Sequence, residues 1–151
     1  MKYFVYTIIV IVAASVVAGF FIIGSPKEER SRRFDQQRVE NLQFLQSEVI
    51  NYWINKAKLP TNLDILKDDT RGVAIPTDPE TNQPYSYKIT GPVNFQLCAV
   101  FNLVSQLADS ITGRPTPADP YFAGQNWSHE AGNVCFDRKI DKDFYKPVKP
   151  L

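Results

Sequence analysis

Residues 3–23 form an uninterrupted apolar stretch, YFVYTIIVIVAASVVAGFFII, which carries no charged side chain. A helix of this length spans roughly 30 Å, the thickness of the hydrocarbon core of a bilayer. The stretch is longer than the apolar part of an ordinary signal peptide, and no clean Ala-x-Ala cleavage site precedes Ser25. We therefore predict an uncleaved membrane anchor over residues 1–25, with a cleaved signal peptide as the alternative.

Residues 26–58 are predicted to form a helical stalk. The segment has no glycine, and its single proline, Pro26, stands at a first-turn position followed by Glu28 and Glu29. Residues 27–38 are mostly charged and are expected to be solvated. Farther along, apolar residues recur at spacings of three and four, which predicts one packing face. Its members are Leu42, Leu45, Val49, Tyr52 and Trp53.

Residues 59–151 are predicted to form a small β-rich head. Apolar and polar residues alternate over 85–89 and again over 95–103, with a turn between them, which is typical of a β-hairpin. A last strand is predicted over 133–140, after a long loop over 106–126. The predicted fold is thus α+β: a transmembrane helix extends into a long amphipathic helix, and that helix packs on a small antiparallel β-sheet.

The charge balance excludes one class of partner. The chain has 17 basic and 16 acidic residues and a net charge of +1. A nucleic-acid-binding protein needs a basic stripe or patch, so no nucleic-acid partner is predicted.

The two cysteines lie in separate predicted strands. If Cys98 and Cys135 face each other they form a disulfide, and closing so long a loop would stabilise the head by roughly 4 kcal/mol. The alternative is two independent buried thiols, which pack as small hydrophobic groups. Metal binding by the two cysteines is disfavoured because the chain has one histidine and no Cys-x-x-Cys spacing. No cofactor is predicted.

The two sides of the anchor give conflicting evidence on orientation. Lys2 stands before the apolar stretch, whereas four basic residues lie within 27–33. By the positive-inside rule the head is therefore cytoplasmic. A disulfide instead favours an oxidising compartment, and on that ground we favour an extracytoplasmic head on a single-pass membrane protein.

Candidate chemistry is sparse. His129 is the only histidine, and its neighbour Ser128 is the nearest nucleophile in sequence. Sequence neighbours rarely adopt triad geometry, and no nucleophile elbow is present, so a structural contact between His129 and Trp127 is favoured. We predict no catalytic residue and a protein that is not an enzyme.

Asp78, Glu80 and Asn82 alternate as the first ligands of an EF-hand calcium loop do. Gln83 stands where that loop requires glycine, and no bidentate glutamate follows at the twelfth position. A plain turn is favoured, and the three residues remain a weak calcium candidate.

The order of parts resembles that of type IV pilins, and most of all the major pseudopilin of type II secretion. Beyond the anchor and stalk, the resemblance rests on two segments, Leu59-Pro60-x-x-Leu63 and Asp78-Pro79-x-x-x-x-Pro84-Tyr85-x-Tyr87. Pilins also carry a Gly before Phe-Thr-Leu-x-Glu at the start of the apolar run, and the Glu pairs with a neighbouring subunit. Here the nearest likeness, residues 19–24, ends the run and lacks the Glu, so processing and filament assembly are left open.

A narrower resemblance covers the whole head. It is to a group of uncharacterised pilin-like membrane proteins of candidate-phyla bacteria, in which two segments recur together. These are Leu97-Cys98-Ala99-x-Phe101 and Gly132-x-x-Cys135-Phe136. This resemblance implies no known activity.

Together these observations predict a membrane-anchored, non-catalytic pilin-like protein with a structural or interaction role at the cell envelope. The alternative is an extracytoplasmic ligand-binding or calcium-binding module. The predicted partners are the lipid bilayer and either another envelope protein or a second copy of the chain.

Overall fold

The computed structural model describes residues 2–23, 26–105 and 126–147, and within the first helix it describes the side chains of residues 3–15. The chain divides into two compact units, Met1–Arg33 and Phe34–Leu151. The predicted loop over 106–126, apart from its last residue, lies outside the described residues.

The first unit is helical. Helix α1 runs over Lys2–Ile23, and helix α2, Pro26–Lys56, begins in this unit and continues into the second. In α1 the hydroxyl of Thr7 donates a hydrogen bond to the carbonyl of Tyr3, so this polar group is satisfied within the helix. Among the residues that the structure describes, no helix combines the length and apolarity needed to cross a membrane.

The second unit contains a three-stranded antiparallel sheet and a 3-10 helix, Asp64–Leu66. Strands β1 (Ser86–Ile89), β2 (Asn94–Phe101) and β3 (Gly132–Lys139) lie in the order β1-β2-β3. The α+β class and the antiparallel sheet predicted from the sequence are therefore confirmed.

The core forms where α2 meets one face of the sheet. Alternate residues of β2 point to this face because side chains along a strand alternate between its two sides. From α2, three residues of the predicted packing face have no exposed surface, Trp53 is buried and Tyr52 is partly buried. The residues at the centre of this core are Leu42, Leu45, Val49, Phe95, Leu97, Ala99 and Phe101.

The predicted disulfide joins β2 to β3. Cys98 and Cys135 are directly opposite in the register of the two strands, and their Cα atoms are 4.0 Å apart. Such a short separation is typical of the antiparallel pairs that exchange no backbone hydrogen bonds. The bond lies on the sheet face turned away from α2, with Cys98 buried and Cys135 exposed.

Candidate functional site

A buried arginine is the centre of the most connected polar site in the second unit. Arg38 lies on α2 with only 2% of its surface exposed, and Asp35, three residues earlier, is 4% exposed. Residues three apart share a helix face, so the Asp35 carboxylate reaches the Arg38 Nη1 atom at 2.8 Å. Both side chains therefore face the protein interior.

This finding corrects the prediction that residues 27–38 are solvated. The prediction is wrong for Asp35 and Arg38, because they continue the spacing of the apolar stripe backward from Leu42. Positions 35, 38, 42, 45 and 49 follow one another at intervals of three and four. That spacing is the sequence signal for burial of the two side chains, and their charge points the other way, toward solvent.

The second partner of Arg38 comes from the turn that precedes β1. Arg38 donates from Nε to Asp78 Oδ2 at 2.6 Å and from Nη2 to Asp78 Oδ1 at 3.2 Å. This two-point geometry is the strong form of the arginine–carboxylate pair. Asp78 also accepts hydrogen bonds from the backbone N–H groups of Glu80 and Thr81, which fixes the turn itself.

The residues that directly follow β2 join the same site. The Asp35 carboxylate accepts the backbone N–H groups of Asn102 and Leu103, both at 2.9 Å. The Asn102 side chain donates to Glu80 Oε2 at 2.8 Å, and Glu80 is 2.7 Å from Arg38 Nη2. We call these five residues the Arg38 cluster: Asp35, Arg38, Asp78, Glu80 and Asn102.

The charges of the Arg38 cluster perturb one another. Three carboxylates surround one guanidinium, which leaves a formal excess of two negative charges. Burial alone raises the pKa of Asp78, but hydrogen bonds from Arg38, Thr81 and Glu80 outweigh it and hold this pKa at about 2. Burial likewise opposes the charge of Arg38, yet its carboxylate partners raise its pKa above the ordinary value.

The three calcium candidates, Asp78, Glu80 and Asn82, make different contacts in the structure. Asp78 and Glu80 bind Arg38, while the backbone N–H of Asn82 donates to the Asp78 carbonyl at 2.8 Å. Asn82 has a positive φ of 57°, a conformation that asparagine tolerates well. Within the described ranges, no three histidine, cysteine, aspartate or glutamate side chains are grouped to hold a metal ion. Calcium binding stays a prediction.

A groove of about 550 Å³ adjoins the Arg38 cluster. One wall is the turn and chain leading into β1, including Thr81, Gln83 and Pro84. The other side is the last part of β2, where Val100 is 59% exposed, together with Asn133 of β3. The groove therefore combines an apolar strand surface with an acidic border.

The aromatic residues near β3 form a packed cluster. The ring of His129 stacks on Phe101, with centroids 3.7 Å apart, and its backbone N–H donates to the Ser105 hydroxyl. Trp127 instead lies against Phe136, and its ring faces the Arg138 guanidinium at 4.1 Å. A structural role for His129 was predicted, but its stacking partner is Phe101, which sequence proximity did not indicate.

Comparisons of the chain with protein-family models, curated proteins and solved structures find no match.

Proposed function

We propose that this chain is a membrane-anchored, non-catalytic, pilin-like protein whose extracytoplasmic head has a structural or interaction role at the cell envelope. The observation that carries the proposal is the Arg38 cluster. Its charged groups bind one another and join α2, the turn at Asp78 and the residues that directly follow β2. Charges that are paired in this way hold elements together, whereas a catalytic site presents reactive groups to a substrate.

The support for a membrane anchor is the apolar sequence of residues 3–23. The test is to wash membranes of expressing cells with alkaline carbonate and ask whether the chain stays in the pellet. The Ile9→Lys/Val12→Lys variant should be released, because each lysine at the centre of a membrane helix costs about 3 kcal/mol. Lys58→Arg is the matched control. Release of the unmodified full-length chain would disprove anchoring.

An extracytoplasmic head is supported by the Cys98–Cys135 disulfide. A membrane-impermeant maleimide is applied to intact cells, or to spheroplasts if an outer layer blocks it, before and after reduction. We expect labelling only after reduction, and without prior lysis. Labelling that needs lysis but no reductant would place the head in the cytoplasm.

The interaction role is tested by cross-linking in intact membranes, followed by purification through a tag at the carboxyl end. We expect a specific cross-linked product, either with a second copy or with another envelope protein. An exposed unrelated single-pass protein with the same tag is the control. If the chain gives only the products of that control, the interaction role is wrong.

The alternative function, a ligand-binding or calcium-binding head, is favoured by the acidic border of the groove. Thermal unfolding of the detergent-solubilised chain is measured with calcium, with magnesium and with neutral sugars. A rise in melting temperature with calcium alone supports this alternative, and the Glu80→Gln variant should then lose the rise. No change with any of them removes it.

A further inference from the structure

Strand β2 has β3 beside it along its whole length, but β1 lies beside only part of it. Its register with β3 extends from Asn94 to Phe101, whereas its register with β1 ends at the pair Ser86–Cys98. Continued pairing would place Pro84 opposite Val100, but Pro84 pairs instead with Thr77. Among the described strands, residues 99–101 of β2 therefore have a neighbour only at β3.

The direction of the free backbone groups follows from the disulfide. Cys98 and Cys135 are a close, non-hydrogen-bonded pair, so the N–H and C=O of Cys98 point away from β3 and toward β1. Two residues farther on, Val100 has the same orientation because the pattern repeats every second residue. Its N–H and C=O thus point to the side of β2 where β1 has ended, and Val100 lines the groove there.

The border of this groove is acidic. Asp78 and Glu80 line it together with Arg38, and the Glu80 side chain is 42% exposed. With Asp35, these groups carry the excess negative charge of the Arg38 cluster. An occupant with a positive charge therefore complements the groove, and a negatively charged one is repelled.

We infer that the groove binds an extended peptide segment of another polypeptide, which continues the sheet beside β2 and places a basic side chain against Glu80. The peptide exchanges backbone hydrogen bonds with Val100, in the manner of strand addition to a sheet edge. The inference names the surface and partner chemistry of the proposed interaction role and rests on that role.

The test measures binding of fluorescent pentapeptides to the full chain in detergent micelles by anisotropy. The probes are Ser-Val-Lys-Val-Ser, the same peptide with Glu for Lys, and the Lys peptide with methylated backbone nitrogens. We expect the Lys peptide to bind about tenfold more tightly than the Glu peptide, since one charge-assisted hydrogen bond separates them. Backbone methylation should weaken the Lys peptide about fivefold or more, without any change to the protein.

Two protein variants locate the site. Val100→Pro removes the N–H that faces the groove, leaves the bonds to β3 in place, and should abolish binding, while Val100→Thr should retain it. Glu80→Gln should bring the Lys and Glu peptides to within about threefold of each other. Unchanged circular dichroism shows that each variant is folded.

Three results would overturn the inference: no binding of the Lys peptide at millimolar concentration, equal binding of the methylated peptide, or full binding by folded Val100→Pro. Cross-linked partners that form equally well in Val100→Pro would likewise exclude the groove while leaving the interaction role intact. Absence of any cross-linked partner would instead remove the proposed function itself.

Discussion

The stability cost of removing the Arg38 side chain depends on the buried carboxylates that remain without a partner. In the Arg38→Met variant a side chain of similar length remains, but Asp35 and Asp78 stay buried without their cation. We expect a loss of about 3–5 kcal/mol in the free energy of unfolding, because uncompensated buried charges are costly. Urea unfolding followed by tryptophan fluorescence measures it.

The matched control is Arg33→Met. Arg33 makes one ion pair on the surface of α2, and 79% of its side chain is exposed, so its removal should change stability by less than about 1 kcal/mol. Equal effects of the two variants would show that the Arg38 cluster contributes no more than a surface pair.

Two tyrosines that are two residues apart should differ in how their stability contribution responds to loss of the hydroxyl. The Tyr85 hydroxyl accepts a hydrogen bond from Asn41 at 2.9 Å, whereas that of Tyr87 is buried with no partner among the described residues. Burial raises the pKa of Tyr87 to about 12. We expect Tyr85→Phe to lower the free energy of unfolding by about 1 kcal/mol and Tyr87→Phe to leave it unchanged or raise it. Thermal melts of the two variants would reveal the reverse order if this reasoning is wrong.

The low pKa of Asp78 predicts a limited acid sensitivity. Because this pKa is about 2 in the folded chain and 3.8 ordinarily, the unfolded chain takes up the proton first as the pH falls. The stabilisation from this group is complete above about pH 4 and is lost as the pH falls toward 2, by about 2 kcal/mol in total.

Urea unfolding between pH 5 and pH 2 measures this dependence. The Asp78→Asn variant should begin at lower stability and fall less steeply, because it lacks the group that titrates. Parallel slopes for the two proteins would assign the acid sensitivity to other carboxylates.

At the scale of elements, the disulfide fixes the pairing of β2 with β3. Its two cysteines are separated by 37 residues in sequence. The Cys98→Ser/Cys135→Ser variant should lose about 4 kcal/mol of stability, chiefly because the unfolded chain gains freedom. Thermal unfolding with and without a dithiol reductant checks this, since reduction should lower the unmodified chain to the level of the variant. The variant itself should not respond to the reductant.

Much of the second unit was predictable because its signals are local. The alternation of Phe95, Leu97, Ala99 and Phe101 with more polar residues specifies a strand with one buried face. The spacing of apolar residues in α2 specifies the helix face that packs on the sheet. The two cysteines lie at opposed positions of β2 and β3, which the sequence allowed but did not require.

The Arg38 cluster was not predictable in the same way. Nothing near Arg38 in sequence identifies Asp78 as its partner 40 residues away. A charged segment is normally solvated, so the composition of residues 27–38 indicated the wrong environment for two of its members. The groove depends on where β1 ends, and strand boundaries are set by tertiary pairing more than by local preference.

The pairing of Asp35 with Arg38 within one helix also bears on how the chain is made. Synthesis releases the amino-terminal part first, so α2 leaves the ribosome before Asp78 and Asn102 do. During that interval Arg38 already has a carboxylate one helical turn away. In the nascent helix the charges of Asp35 and Arg38 therefore neutralise each other. Neither side chain needs a further ion-pair partner before the strands are released and the core forms.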